Sequence, residues 1–260
     1  MIHPRTPWAA EPVDELGAPA SWDLTPWFPP VVDQGNIPLC TAAVVAGIAG
    51  YYARRGGEDD FAASVLFNYR TSRLIAGERD RAGSNLFRSF EAWDTYGMVG
   101  EEDWPFTAGR ENRDPPPFCF ARAADRKGII YGRIMRGEGN IAARLRALRQ
   151  HILNGIPVAV DIPLHPVQLS SFRSHVLSLP PVGAATFGRH VVIIAGYDDD
   201  RTCGEGQAAG AFLVRNSWGS RWAAQGYGWL PYSYFENRLI REAWIVFEKK
   251  WKERALEPRG

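Results

Sequence analysis

The residue with the clearest capacity for chemistry is a cysteine at the start of an apolar run. Cys40 precedes Thr41–Tyr52, a segment that is apolar on every face and predicts a buried helix beginning at or just before the cysteine. A thiol at a helix N-terminus feels the helix dipole, which favours the thiolate, the nucleophilic form. A neighbouring imidazolium would lower the pKa of the thiol further. We therefore expect Cys40 to be a nucleophile if an imidazole lies beside it.

An imidazole and its orienting partner are predicted in the second half of the chain. Two strands, His190–Tyr197 and Ala211–Asn216, flank a polar, glycine-rich loop. An antiparallel hairpin would pair the start of the first strand with the end of the second and bring His190 beside Asn216. The Asn216 carbonyl would then accept the imidazole N–H and fix its tautomer and ring direction. This is the arrangement of a nucleophile, a base and an orienting group.

A donor for a negatively charged oxygen is predicted just before the cysteine. Gln34 lies six residues upstream of Cys40 and carries a side-chain NH2. With the backbone N–H of Cys40, it would donate hydrogen bonds to the oxygen of a carbonyl under attack. Each residue taken alone has a structural interpretation, since a cysteine before an apolar helix belongs most often to the core. Their joint occurrence with the flanking sequence discussed below favours catalysis.

Composition excludes several classes of function. The chain has 260 residues, of which 45% are hydrophobic, enough for one large domain or two lobes. Lys and Arg number 30 and Asp and Glu number 29, so we expect no nucleic-acid partner. No apolar run approaches the roughly 20 residues of a membrane span, and the first residues lack a secretory signal. We expect no membrane partner, and either a cytoplasmic location or export without a conventional signal peptide.

Cysteine and histidine usage predicts neither a disulfide framework nor a metal site. The chain has only three cysteines, Cys40, Cys119 and Cys203, which fits a reducing compartment. A Cys119–Cys203 pair is the less favoured alternative. The histidines other than His190 show no metal-ligand spacing with cysteine or acidic residues. We therefore expect no metal and no cofactor.

Helical patterns come first along the chain and strand patterns follow. Helices are predicted over 40–52, 64–74 and 84–96, and after Asn140, where an apolar stripe recurs at helical spacing. The predicted strands are Ile156–Ile162, His190–Tyr197, Ala211–Asn216 and Ala243–Phe247. This order predicts an α+β fold with segregated lobes.

The domain boundaries are predicted from composition. Residues 1–18 are interpreted as an N-terminal arm and 251–260 as a charged, solvated tail. Between them we expect one domain, 19–250, with a helical lobe over about 19–115 and a β lobe over about 116–250. The boundary is placed in a proline-containing stretch that is predicted to be irregular, Gly100–Gly128.

The flanking sequences resemble those of the papain-like cysteine peptidases, peptidase family C1. VVDQGNIPLCTAA is similar to the stretch around the family's cysteine, and GRHVVIIAGYDDD to its histidine strand. FLVRNSWGSRWAAQGYGWLPYSYF is similar to its Asn-Ser-Trp-Gly strand and the following tryptophan-rich loop. The similarity covers roughly residues 19–248, and Thr41 resembles bacterial members of the family.

This resemblance implies a fold and a catalytic set. The fold would be a helical lobe and an antiparallel β-barrel-like lobe with the active cleft between them. Cys40 would be the nucleophile, His190 the general acid and base, Asn216 its orienting partner and Gln34 the oxyanion donor. The implied activity is hydrolysis of peptide bonds through a thioester, with a peptide or protein as substrate.

Five further residues are implied as substrate-binding. Gly83 and Ser84 would bind the substrate backbone. Trp218 would shield the contact between the asparagine and the histidine from water, and Trp222 would line the leaving-group side of the cleft. Arg189 directly precedes the catalytic histidine, and we expect it to face a specificity pocket and favour an acidic or polar side chain.

The sequence also departs from the family pattern. Ile37-Pro38-Leu39 stands where the family usually has Cys-Gly-Ser, which removes a family disulfide. Pro38 lacks a backbone N–H and stiffens the loop that shapes the oxyanion site. Ala223 replaces a family glycine. The arm of about 18 residues is much shorter than a family propeptide, and we expect it to lie across the cleft and inhibit a monomeric enzyme.

Two other functions stay open at this level. The same thioester could be delivered to an amine, which would make the protein a transpeptidase or acyltransferase. The chain could also be a binding module of the same fold without turnover, because a fold does not fix a function. Keeping Cys40, His190, Asn216 and Gln34 together favours an enzyme.

Overall fold

A computed structural model describes most of the chain, namely residues 17–136, 140–169, 175–181, 183–204 and 208–248. The predicted arm lies almost entirely outside the described residues, and the predicted charged tail lies outside them completely. The contacts that residues make within this chain divide it into two compact units, and segments of the two units alternate along the sequence. Of the described residues, the helical unit comprises Pro26–Tyr131, Arg215–Tyr227 and 246–248, and the β unit comprises 17–25, those within Gly132–Val214, and Gly228–Ile245.

Within its described residues, the helical unit is built on four α-helices. They are α1 Cys40–Arg55, α2 Val65–Ile75, α3 Leu86–Tyr96 and α4 Pro117–Ala123. The first three confirm the predicted helices to within a few residues. Polar side chains cap two of them, since Ser64 Oγ accepts from Phe67 N at 3.2 Å and Asn85 Oδ1 accepts from Arg88 N at 2.9 Å.

Helix α4 corrects the prediction of an irregular stretch over Gly100–Gly128. It begins at the last proline of the Pro115-Pro116-Pro117 run, with Pro117 at its first turn. A proline is well suited to this position because its missing N–H would have no partner within the helix. Cys119 and Ala123 of α4 are fully buried. The prolines that suggested a break in structure therefore start a helix.

The β unit contains most of one antiparallel sheet. Among the described residues, seven strands form this sheet in the order β2-β7-β3-β4-β5-β6, and β1 pairs with β4. The strands are β1 Ser21–Asp23, β2 Ile129–Arg136, β3 Val158–Leu164, β4 Gly188–Asp198, β5 Ala211–Arg215, β6 Tyr227–Pro231 and β7 Glu242–Glu248. The unit's helices are α5 Ile141–Leu153, α6 Pro166–Leu169 and α7 Ser233–Glu236.

Strands β3, β4, β5 and β7 match the predicted strands, and β4 and β5 are neighbours in the sheet. The Asn140 side chain caps α5, as predicted, by accepting from Ala143 N at 3.3 Å. Strands β1, β2 and β6 were not predicted. They are short or contain glycine and proline, which weaken a strand pattern. No helix within the described residues is long and apolar enough to cross a membrane.

A buried carboxylate joins three parts of the β unit. Asp161 on β3 is 8% exposed, and its Oδ1 accepts the backbone N–H groups of Arg241 at 3.0 Å and Glu242 at 2.9 Å. Its Oδ2 accepts from Nε of Arg189 on β4. The same guanidinium donates to the Leu239 carbonyl at 3.0 Å. This pair therefore fixes the start of β4, where His190 lies, to the segment that enters β7.

We predict that Asp161→Ala lowers the free energy of unfolding by about 2–3 kcal/mol, because it leaves a guanidinium and two backbone N–H groups without their acceptor. Asp161→Asn keeps one acceptor oxygen and should cost less. The exposed residue Asp200 of the same unit gives a control, and Asp200→Ala should change stability by no more than about 0.5 kcal/mol. Urea titration followed by tryptophan fluorescence measures all three. Equal losses of unfolding free energy for Asp161→Ala and Asp200→Ala would contradict the stabilising role of Asp161.

Candidate active site

Cys40 is the first residue of α1, as the sequence predicted, and its side chain is half-buried. The residue before it, Leu39, occupies the N-cap position, is completely buried and offers no capping side chain. The first turn of α1 contains no acidic residue. The positive end of the dipole of this 16-residue helix is therefore not offset by an anionic side chain of the helix itself. A thiolate at Cys40 would lie where the helix favours negative charge.

The side-chain amide of Gln34 is held at both of its ends. Its Nε2 donates to the Ile37 carbonyl at 2.9 Å, and its Oε1 accepts from the Ser217 hydroxyl at 2.5 Å. Its backbone N–H donates to the Ser217 carbonyl at 2.8 Å. An amide nitrogen has two N–H groups, and the Ile37 carbonyl uses one of them. These bonds fix which end of the amide is the donor and leave a second N–H of Nε2 to donate to a ligand.

The segment that carries Gln34 runs beside the segment that carries Asn216. Gly219 donates its N–H to the Val32 carbonyl at 3.0 Å, and Asp33 forms a β-bridge with Trp218. Asn216 is 5% exposed, and its Oδ1 accepts from the Ser217 N–H at 2.7 Å. The structure thus brings together the predicted oxyanion donor and the predicted orienting residue, which the sequence separates widely.

The two predicted tryptophans pack against each other in the loop that follows Asn216. The rings of Trp218 and Trp222 meet edge to face, with centroids 5.8 Å apart and an interplanar angle of 89°. Trp222 is 1% exposed, and its carbonyl accepts from Gly226 N at 2.7 Å. Ala223, which replaces a family glycine, has a φ of 47°. That left-handed conformation costs a residue with a Cβ about 1–2 kcal/mol, which explains the preference for glycine there.

Gly83 and Ser84 lie in the same unit and beside the loop that leads to Cys40. Gly83 has a φ of 88°, and a Cβ placed on it would lie 3.9 Å from the Pro38 carbonyl oxygen. Its N–H donates to the Tyr69 hydroxyl at 2.9 Å. This bond from Gly83 to Tyr69 on α2 fixes the position of the Gly83–Ser84 segment. No local sequence signal predicts that Tyr69 has this role.

His190 and Arg189 lie on β4 in the β unit. His190 is 3% exposed and is opposite Ile162 in the register of β3 and β4. The guanidinium of Arg189 is committed to Asp161 and to the Leu239 carbonyl. Because Asp161 balances its charge, Arg189 offers less positive potential to a substrate than the sequence alone suggests.

The other two cysteines differ in environment from Cys40. Burial raises the pKa of both the Cys119 and the Cys203 thiols, which makes their thiolates scarce at neutral pH. The two residues are thiols and not a disulfide. Among the residues that the structure describes, no group of three or more histidine, cysteine or acidic side chains is placed to hold a metal ion.

Comparisons with known proteins identify the family. The family model described as papain family cysteine protease matches residues 67–242, a range that contains His190 and Asn216 but begins after Gln34 and Cys40. An uncharacterized peptidase C1-like protein of Acanthamoeba polyphaga mimivirus is 26% identical over 228 residues. That match covers 84% of this chain and 69% of the viral protein.

Solved structures agree with this match. The crystal structure of xylellain, a cysteine protease from Xylella fastidiosa, has a TM-score of 0.75 and 26% identity, covering 90% of this chain and 87% of that one. Digestive procathepsin L 3 of Tenebrio molitor larval midgut shares the fold, with a TM-score of 0.66, 19% identity and coverage of 89% and 70%. The predicted α+β fold of the papain type is confirmed. The chain belongs to the papain family of cysteine proteases and is a cysteine peptidase.

Proposed function

We propose that Cys40, His190 and Asn216 form the catalytic triad of this peptidase and that Gln34, with the Cys40 N–H, binds the oxyanion. The observation that supports this most directly is the double hydrogen bond of Gln34 with Ser217, the residue after Asn216. It holds the amide donor and the orienting asparagine together in the helical unit, which also carries Cys40. Peptides or proteins are the proposed substrates.

The proposed reaction begins with proton transfer from the Cys40 thiol to His190. The thiolate attacks the amide carbonyl carbon, a C–S bond forms, and the carbonyl oxygen takes up the negative charge. That oxygen accepts hydrogen bonds from Gln34 Nε2 and the Cys40 N–H. As the tetrahedral intermediate collapses, the imidazolium of His190 gives its proton to the leaving amine and a thioester remains.

Deacylation reverses these roles. His190 removes a proton from water, the resulting hydroxide attacks the thioester carbonyl, and Cys40 leaves as the thiolate. Asn216 keeps the imidazole in the tautomer that serves both steps. The ring of Trp218 meets the buried Trp222 ring edge to face, and we propose that Trp218 shields the orienting contact from water.

Alkylation of Cys40 tests the thiolate–imidazolium pair. We predict that iodoacetamide modifies Cys40 rapidly down to about pH 5, although an unperturbed thiol loses most of its thiolate well below about pH 8.5. His190→Ala should abolish this acid reactivity. Peptide mass spectrometry gives the rates, and Cys119 and Cys203, whose pKa values are raised by burial, serve as internal controls. Slow alkylation of Cys40, or identical profiles in both proteins, would contradict the triad.

Gln34→Glu tests the oxyanion donor. The substitution keeps the shape and the acceptor for Ser217 but replaces the donating NH2 by an anionic oxygen. We predict a fall in kcat of at least about 10²–10³-fold with a much smaller change in KM, because the lost bond strengthens only in the transition state. Both constants are measured from the turnover of fluorogenic peptide amides, with kcat normalised to the amount of enzyme whose Cys40 can be alkylated. A change confined to KM would place Gln34 in ground-state binding instead.

The N-terminal arm is proposed to inhibit the enzyme, and truncation tests this. Removing residues 1–18 keeps Pro19 and Ala20, whose carbonyls accept from Tyr197 Oη and Asp199 N at 2.8 Å each. The procathepsin relative shows that a proform occurs on this fold. We predict faster peptide turnover and faster Cys40 alkylation after truncation. Unchanged rates of peptide turnover and of Cys40 alkylation would contradict an inhibitory role of the arm.

Hydrolysis and acyl transfer are separated by their products. Mass spectrometry of a peptide reaction with and without an added amine nucleophile should show the free acid in both, since a water-accessible thioester is hydrolysed. An amide of the added nucleophile as the main product would assign the enzyme to acyl transfer.

A further inference from the structure

A buried arginine directly precedes the orienting asparagine. Arg215, the last residue of β5, is 4% exposed. One guanidinium nitrogen donates to the Pro30 carbonyl at 2.7 Å, and another donates to the Tyr227 hydroxyl at 2.9 Å. The guanidinium also lies over the rings of Phe28 and Tyr227, 5.3 and 5.7 Å from their centroids.

Burying the Arg215 guanidinium costs desolvation free energy. None of the ion pairs formed among the described parts of the chain includes Arg215, and its partners are a carbonyl, a hydroxyl and two aromatic rings. Burial lowers the pKa of this arginine, which expresses the same cost. An apolar side chain would fill the space without that penalty. The guanidinium must therefore be explained by the two oxygens that it binds.

The reason for a side-chain donor lies in the opposite segment. Residues 32–34 run antiparallel to residues 217–219, held by Gly219 N to Val32 O and by Gln34 N to Ser217 O. Before this pairing stand Pro29 and Pro30, which have no backbone N–H to donate. The Pro30 carbonyl lies outside the backbone pairing of residues 32–34 and accepts from a side chain. Arg215 is that donor, and two separate nitrogens of its planar guanidinium reach the Pro30 carbonyl and the Tyr227 hydroxyl, whereas a lysine would present a single ammonium nitrogen.

We propose that Arg215 is a positioning residue that sets the register of the Gln34 segment against the Asn216–Ser217 segment. The proposal builds on the proposed function, in which Gln34 donates to the oxyanion. Catalytic groups must be held within about 0.5 Å of their productive places. Pro30 and Arg215 each lie two residues before their own paired segment, so their bond ties the two segments together outside the backbone pairing. Loss of this bond lets the Gln34 amide move relative to Cys40 and Asn216.

Hydrogen exchange tests the register without reference to activity. In the full chain, Arg215→Met keeps a long apolar stem and removes both donors. We expect faster exchange in peptides that contain the amides of Gln34 and Gly219, and unchanged exchange in α2. Arg73→Met is the matched control, because Arg73 is a buried guanidinium of the same unit that binds Glu111 O and Asn112 Oδ1. It should accelerate exchange around those partners and leave residues 31–37 unchanged.

A milder variant keeps the test decisive if Arg215→Met fails to fold. Tyr227→Phe removes the hydroxyl that anchors the guanidinium and nothing else, and should produce the same exchange pattern with a smaller amplitude. Unchanged exchange at Gln34 and Gly219 in whichever of these variants folds would overturn the proposal.

A double-mutant cycle then asks whether Arg215 acts through Gln34. We expect Arg215→Met to lower kcat per titrated Cys40 by about tenfold in the wild-type background and by less than about twofold in Gln34→Glu, since coupled residues are not additive. Arg215→Lys should lie between. If Arg215→Met lowers kcat by the same factor in the wild type and in Gln34→Glu, then Arg215 does not act through Gln34 and has a purely structural role. Absence of peptide turnover in the wild type, both as the full chain and after removal of residues 1–18, would refute the proposed function instead, and the exchange experiment would still decide the role of Arg215.

Discussion

The antiparallel pairing of residues 32–34 with residues 217–219 is the constraint on which the candidate site depends. It joins segments that lie 183 positions apart at the Gln34–Ser217 contact. The backbone contributes two described hydrogen bonds, and side chains contribute the Ser217–Gln34 and Arg215–Pro30 bonds. Gly226 also packs closely on the Val31 side chain, since a Cβ on Gly226 would lie 2.7 Å from it. Each bond is worth only about 1 kcal/mol, so it is their number and their burial that hold the register.

This pairing gives the proposed oxyanion donor, Gln34, its direction. A glutamine on a free loop would sample several rotamers, and fixing it during the reaction would raise the barrier. Here the Ser217 hydroxyl and the Ile37 carbonyl take the two ends of the amide before any substrate arrives. The loop around Cys40 contributes stiffness as well, because Pro38 restricts the backbone two residues before the cysteine and Leu39 is completely buried.

Much of this architecture could be predicted from the sequence. Helices α1, α2, α3 and α5 follow from apolar spacing and capping residues, and strands β3, β4, β5 and β7 follow from β-branched runs, because these signals are local. Helix α4 was missed because a proline run normally marks a break. Strands β1, β2 and β6 were missed because they are defined by their partners in the sheet and not by their own composition. The alternation of the two units along the chain has no local signature either.

The sequence by itself determined the family, the fold class and the residue types of the candidate site, since Cys40, His190 and Asn216 lie in recognisable flanking patterns. Tertiary structure alone decided how those residues are supported. Ser217 orients Gln34, Tyr69 holds Gly83, and Asp161 balances the charge that Arg189 seemed to offer to a substrate. Each of these contacts joins residues at least 14 positions apart in the chain. Hydrogen bonds and ion pairs act over a few ångströms of space, so only the folded chain determines which of them form.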